Sequence, residues 1–234
     1  MNKWGRFTFI AVLLALGAFT MAKEFWEKPY TEWTKKDVDK MLHDSPWSKS
    51  QTIADELGGK GSGAGGDKEL YNVFSVRFFS AMPVRQAYVR MMQLMNNYDA
   101  KPESEKAAID AKFVRVLKID FSKTIMVAFE YSTNNRERDM NIRRFLENST
   151  TALLSQSCYL ITDHQGRVSL QEYYPPSPDG TGAKFVFPRM AGEKAVVMPE
   201  DKEVKFDLYL QPLNQRVFIT FKVKSMVVDG QVVI

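Results

Sequence analysis

The spacing of apolar positions changes three times along the chain, and each change predicts a different kind of element. Phe7 to Ala22 is a predominantly apolar run behind the basic residues Lys3 and Arg6. The stretch TEWTKKDVDKMLHDSPW, residues 31–47, then reads at helical spacing. Val38, Met41 and Leu42 form an i, i+3, i+4 stripe, while Lys35, Lys36, Asp39 and Lys40 are left for solvent. Thr34 and Asp37 have the spacing of a capping box, and Trp33 with Val38 has that of a hydrophobic staple. Pro46 disfavours helical geometry at Ser45, so the helix is predicted to end near His43 or Asp44. A helix of about ten residues is marginal alone in water, so its stripe must be covered.

After the glycine-rich GGKGSGAGGDK, ELYNVFSVRFF alternates Phe74, Val76 and Phe78, which predicts a strand. Val84, Ala87, Tyr88, Met91, Leu94, Met95 and Tyr98 share one face of a helix predicted from Pro83 to Tyr98. A second helix begins near Pro102 and turns Ile109, Phe113, Val116 and Leu117 inward. From Thr124 the period becomes two. TIMVAFEYS, SCYLITDHQGRVSLQEYY, AKFVFP, EVKFDLYLQ and RVFITFKVKSMVV read as strands, with hairpin signals at Gly166 and at Asp229-Gly230. Between them an edge strand is predicted at Met140 to Leu146, and a short helix at Thr150 to Ser155.

The fold class is therefore α+β: a β-sandwich-like antiparallel body with two packed helices and a separate short N-terminal helix. The expected layout is a leader over 1–22, a helical arm over 23–57 and a glycine-rich linker over 58–68. The body follows over 69–234, mostly antiparallel β from about residue 124. The leader has the basic start, apolar middle and small-residue end, Thr20-Met21-Ala22, of a signal peptide. An uncleaved anchor helix is the alternative, although Phe7 to Ala22 falls short of the ~20 residues a spanning helix needs. The expected location is periplasmic or extracellular, with membrane attachment only if the leader stays uncleaved.

Charge removes one function class. The formal charge is +4, and Lys3 and Arg6 carry two of those units, so the chain behind the leader has no excess of positive charge suited to nucleic acid. One cysteine, Cys158, allows no internal disulfide; in SCYLIT it reads as a small core residue.

Candidate chemistry is sparse. Gly61, Gly63 and Gly66 satisfy G-x-G-x-x-G, but they follow a helix and precede a strand, the reverse of a dinucleotide site. His43 and His164 are the only histidines and have no ligand spacing, so no metal site, cofactor or catalytic residue is assigned. A Cys158–His164 thiol–imidazole pair is disfavoured by their placement on one hairpin. Glu130 and Asp207 read as solvent-face residues of half-buried strands. The partner-contact candidates are Trp33, Met41, Leu42 and Trp47 around the first helix, Tyr173 and Tyr174 in the loop EYYPPSPDGTG, and Arg143 and Arg144 in the charged stretch before residue 150. For each, a core or solvated-face role is the competing reading.

EWTKKDVDKMLHDSPW, GAKFVFPR and FKVKSMVVDG resemble segments of a family of uncharacterised exported acidobacterial proteins, marked by a W-[ST]-x-x-[DE] helix start and a D-S-P-W stop. The resemblance implies export and a β-rich C-terminal part; it carries over no activity and no site residue. The expectation is a non-enzymatic binding or assembly protein of the bacterial envelope, with an envelope protein or a second copy as partner. The alternatives are a hydrolase whose carboxylates converge in space and a small-molecule or lipid carrier with an apolar cavity.

Overall fold

Helix α1 (Lys35–His43) starts as its residues dictate. The Thr34 hydroxyl accepts from the Asp37 backbone N–H at 3.2 Å, and the Asp37 carboxylate accepts from the Thr34 N–H at 2.9 Å. The computed structural model describes residues 24–55, 70–178 and 180–234; the leader and the glycine-rich stretch 58–68 lie outside them. Among the described residues no helix is long and apolar enough to cross a membrane.

Past His43, tertiary pairing decides the structure. Pro46 and Trp47 turn the chain between β1 (Asp44–Ser45) and β2 (Ser48–Asp55), and β2 pairs throughout with β3 (Leu70–Phe78). The expected arm and body are thus continuous, because residues 44–55 are strands of the body's own sheet. The strand was not foreseen, since SKSQTIAD offers only Ile53 and Ala54 as apolar positions. It exists because β3 supplies a hydrogen-bonding partner, and pairing context outweighs intrinsic propensity.

The remaining elements are α2 (Met82–Met95), α3 (Glu103–Leu117), β4 (Thr124–Thr133), α4 (Arg136–Asn148), α5 (Thr151–Leu154), β5 (Cys158–Thr162), β6 (Gly166–Ser169), β7 (Glu172–Tyr174) and β8 (Ala183–Pro188). Two short pairs, β9 (Met190–Ala191) with β10 (Lys194–Ala195) and β13 (Val227–Val228) with β14 (Gln231–Val232), flank the long strands β11 (Glu203–Leu210) and β12 (Gln215–Lys222). The chain is α+β. One antiparallel sheet runs β1-β2-β3-β4-β8-β7, and a second runs β12-β11-β5-β6. They face each other through phenylalanines: Phe78 meets Phe221 at 4.8 Å between ring centroids, and Phe206 meets Phe185 at 5.5 Å and Phe129 at 6.4 Å. Alternation placed these rings: Phe206 and Leu208 on β11, and Val217, Ile219 and Phe221 on β12, are all buried.

The charged stretch before residue 150 is α4, not the expected edge strand. Ile142, Phe145 and Leu146 recur at i, i+3, i+4, and the Asn135 side chain caps the helix by accepting from the Arg138 N–H at 3.0 Å. Low overall hydrophobicity masked that period. Helix α2 ends at Met95, three residues before Tyr98, which lies in a following 3₁₀ turn; Met95 is exposed rather than inward. The body of the hairpin expected over residues 157–174 is β5–β6, but β7 leaves it to pair with β8 in the first sheet.

Helix α1 packs on β2, β3 and α2, and α3 packs on α2. With neighbours on two sides, α2 buries polar residues that a one-faced helix leaves wet. Arg90 donates to the Trp33 carbonyl at 2.9 Å and twice to the Asp99 carboxylate at 2.8 Å. Arg85 donates to the carbonyls of Val116, Leu117 and Ile119 at the end of α3, and burial pulls its guanidinium below the usual range.

These links make the layer acid-sensitive. The hydrogen bond from Arg90 lowers the Asp99 carboxyl below its usual range. At Asp37, burial works upward, but hydrogen bonds from Thr34 and Lys28 outweigh it and the net shift is down. Both folded values lie below the unfolded ones of about 3.9, so their stabilisation is complete above that pH and is lost as pH falls through the folded values. Urea midpoints are expected to be flat from pH 7 to about 5 and to fall below about 4, with a shallower fall in Asp99→Asn.

Candidate functional site

Alternation on β3 sends Phe74, Val76 and Phe78 into the space between the sheets, which puts Arg77 on the opposite face, under the helices. There it is buried, and the end of α1 comes down on it. Arg77 Nε donates to the Leu42 carbonyl at 2.6 Å, and Nη2 donates to Glu130 Oε2 at 2.7 Å. Arg77 Nη2 also lies 3.2 Å from His43 Nε2. A guanidinium only donates, so that contact selects the histidine tautomer with a bare Nε2, and Nδ1 then donates to the Asp39 carbonyl 3.0 Å away. Arg77 therefore serves as a C-terminal cap for α1 as well as the partner of Glu130.

Strand register brings Glu130 to this place. Ala128 pairs with Arg77 and Glu130 pairs with Ser75, so Glu130 sits diagonally across from Arg77 on the same face. The three polar groups form one end of a cavity of about 130 Å³ walled by Phe79, Val84, Tyr88 and Met91. A second cavity of about 110 Å³ is lined by Glu130 again with Asp139, Ile142 and Arg143. Glu130 is common to both.

Residues of the connection between β7 and β8 line both cavities, Gly180 and Thr181 the first and Pro176 and Gly182 the second, and glycine lets its end approach β4 closely. Gly182 has φ +75°, and a Cβ there would lie 2.3 Å from the Phe129 carbonyl oxygen and 2.7 Å from Glu130 Cγ. Gly182→Ala is expected to destabilise by at least ~1–2 kcal/mol from the left-handed backbone alone. The overlap adds to that and displaces the Glu130 side chain. Thermal unfolding together with the NMR shift of the Glu130 side chain checks both parts.

The partner-contact candidates divide sharply. Trp33, Met41 and Trp47 have no exposed surface, and Leu42 is buried at the cavity wall. Trp47 donates its indole N–H to the Val233 carbonyl at 2.6 Å, and Trp33 donates to the Lys28 carbonyl at 3.1 Å. Tyr173 is buried and donates its hydroxyl to the Leu146 carbonyl at 2.6 Å, whereas Tyr174 is exposed. Arg143 lies on the exposed face of α4, 3.4 Å from Asp139, at the rim of the second cavity. Arg144 is exposed on the same helix and lines a separate shallow depression with Phe145 and Pro212. The structure thus brings Leu42 and Arg143 to the paired cavities and leaves Tyr174 and Arg144 apart from them.

Sequence reasoning missed Arg77 and misjudged Glu130 and Asp207 as solvent-face residues. A charge inside NVFSVRFF, with apolar residues on both sides, was the available signal for Arg77. Glu130 is two-thirds covered, and Asp207 is buried beneath Arg216, which donates to it twice, at 2.6 and 2.7 Å.

Cys158 and His164, the other groups with candidate chemistry, are held by the fold. Burial pushes the Cys158 thiol well up, and the nearby Asp207 carboxylate adds to the effect, which disfavours a thiolate nucleophile. The His164 ring faces the Asp201 carboxylate at 2.8 Å and the Ala195 carbonyl at 3.0 Å, tying the β5–β6 turn to the segment before β11. No group of three or more metal-ligating side chains occurs among the described residues. Comparison with protein-family models, curated proteins and solved structures returns no match.

Proposed function

We propose that the chain is a binding protein for a small ligand with an apolar body and a polar head, acting in the envelope to which its leader would direct it. The observation that carries this reading is the cavity at Arg77: an apolar wall with a fixed donor–acceptor cluster at one end. Such a combination orients a ligand while apolar contact supplies affinity. Its volume is close to the ~150 Å³ of an apolar cavity that accepts a single benzene ring.

The head group follows from what is already satisfied. Glu130 Oε2 is engaged by Arg77, and Oε1 has no partner among the described residues. Arg77 Nη1 likewise has none among the described residues, and Arg77 lines the cavity. One free donor beside one free acceptor suits a neutral carboxamide better than a lone anion, because Glu130 already neutralises Arg77. A hydrolytic reading has less support. The carboxyls whose proton affinity is displaced, among them Asp37, Asp44, Asp99 and Asp163, are pulled down. A general acid needs the opposite shift.

Benzamide and toluene serve as probes. Benzamide is expected to raise the melting temperature and shift the amide resonances of Arg77 and Glu130, and toluene to bind more weakly. Ala128→Leu fills the cavity floor and is expected to abolish both effects. Unchanged benzamide binding in that variant, or no binding to the wild-type chain, removes the cavity from consideration.

A further inference from the structure

We propose that the chain forms a two-fold dimer by antiparallel pairing of β12 with β12 of a second copy, joining two four-stranded sheets into one of eight strands. Among the described residues β12 is the terminal strand of its sheet, and its eight residues, QRVFITFK, contain neither proline nor glycine. An edge strand presents alternate backbone N–H and C=O groups without a ladder partner, which makes it a template for another strand.

The other sheet edges are blunted. β1 has two residues, β7 has three and runs into Pro175 and Pro176, and β6 has four. β2 is uncovered beyond Lys49 but offers only Ile53 and Ala54 as apolar positions. On β12 the inward positions Val217, Ile219 and Phe221 are all apolar, so no inward charge interrupts the edge. At its C-terminal end, Thr220 and Lys222 line an open groove of about 340 Å³ beside Trp26 and Lys49.

Self-complementarity selects the second copy as occupant. With Phe218 opposite its own counterpart, Arg216 faces Thr220, Val217 faces Ile219, and nearly the whole strand overlaps. Phe218 is 40% exposed, so this register also covers a ring that solvent now meets. A slip of one residue would pair outward with inward positions, sending the buried set to solvent. A register centred on Ile219 would put Arg216 directly opposite Lys222, and like charges facing each other are destabilising. Registers centred on Val217 or Thr220 also avoid both, but each pairs only five residues of the strand, against seven for the register centred on Phe218.

The test uses the full chain and light scattering across a concentration series. A rise from the 26.8 kDa monomer to twice that mass is expected. Phe218→Lys, which sets two lysines face to face, is expected to leave only monomer with an unchanged circular dichroism spectrum. Under mild oxidation Phe218→Cys is expected to give a covalent dimer, because only the two-fold register brings that position against itself. Thr220→Cys alone is not, whereas an Arg216→Cys and Thr220→Cys mixture is. Monomer at every concentration overturns the proposal and leaves the edge to an extended segment of a different protein. A dimer that persists in Phe218→Lys, or one that Phe218→Cys does not cross-link, overturns it equally.

Discussion

Arg77→Ala is expected to lower the free energy of unfolding by about 3 kcal/mol, read as a shift in urea midpoint at constant slope. The loss has several sources. The Leu42 carbonyl at the end of α1 loses its donor in a buried place, and an unsatisfied buried group costs ~1–3 kcal/mol. Glu130 loses its counter-charge, although about a third of its side chain reaches solvent, which holds the total near the lower end of the range for broken buried pairs. Arg77→Met separates packing from charge by keeping the stem and removing the donors, and its loss is expected to remain large. In Arg77→Met with Glu130→Gln the orphaned carboxylate is gone, so the double variant should recover part of the single variant's loss. A double variant no more stable than Arg77→Met would show that the ion pair is energetically idle and that the helix cap carries the effect. Ligand binding separates from stability in Glu130→Gln alone, which leaves the α1 cap in place while changing the acceptor at the cavity.

How far such a site can be read from sequence depends on which interactions are local. The start of α1 was legible because cap, staple and stop lie within fourteen residues, Trp33 to Pro46. The inward rings of β11 and β12 were legible because alternation is a property of one strand. β2 was not: SKSQTIAD is a strand only because β3 lies beside it. α4 was misread because six charges in RERDMNIRRF obscure the Ile142, Phe145, Leu146 period. The cavity is less legible still. Arg77, Glu130, His43 and Gly182 come from a strand, its neighbour, a helix end and a loop. What assembles them is the β3–β4 register and the path of the β7–β8 connection, neither of which leaves a spacing signature. The aromatic and proline content of EYYPPSPDGTG drew attention to its tyrosines, yet the close approach of that loop to Glu130 rests on the small residue at its end.

Trp47→Ala is expected to cost more, about 3–5 kcal/mol, the range for removing a fully buried aromatic side chain. Trp47 has no exposed surface, meets Trp26 edge-to-face at 5.7 Å, and hydrogen-bonds the Val233 carbonyl. Its own carbonyl accepts from the Phe78 N–H at 2.9 Å, next to the ring that meets Phe221 across the two sheets. One residue thus ties the start of the described chain, the central sheet and the C-terminal stretch together. Trp47→Phe keeps most of the volume and loses the indole donor, so it is expected to cost ~1–2 kcal/mol and to size the hydrogen bond. The larger consequence is for cooperativity. Because Trp47 and β2 belong to the sheet, the α1 helix signal and the β-sheet signal should melt together in the wild-type chain, and both should shift together in Trp47→Ala. If residues 24–55 were instead a separable tethered unit, Trp47→Ala would release α1 alone and leave the main transition at its wild-type midpoint. Circular dichroism at the helix band, followed beside near-ultraviolet signals of the remaining aromatics, distinguishes the two. Coincident shifts are the expected result, because β2 pairs along its whole length with β3, which lies outside the segment that a tether would free.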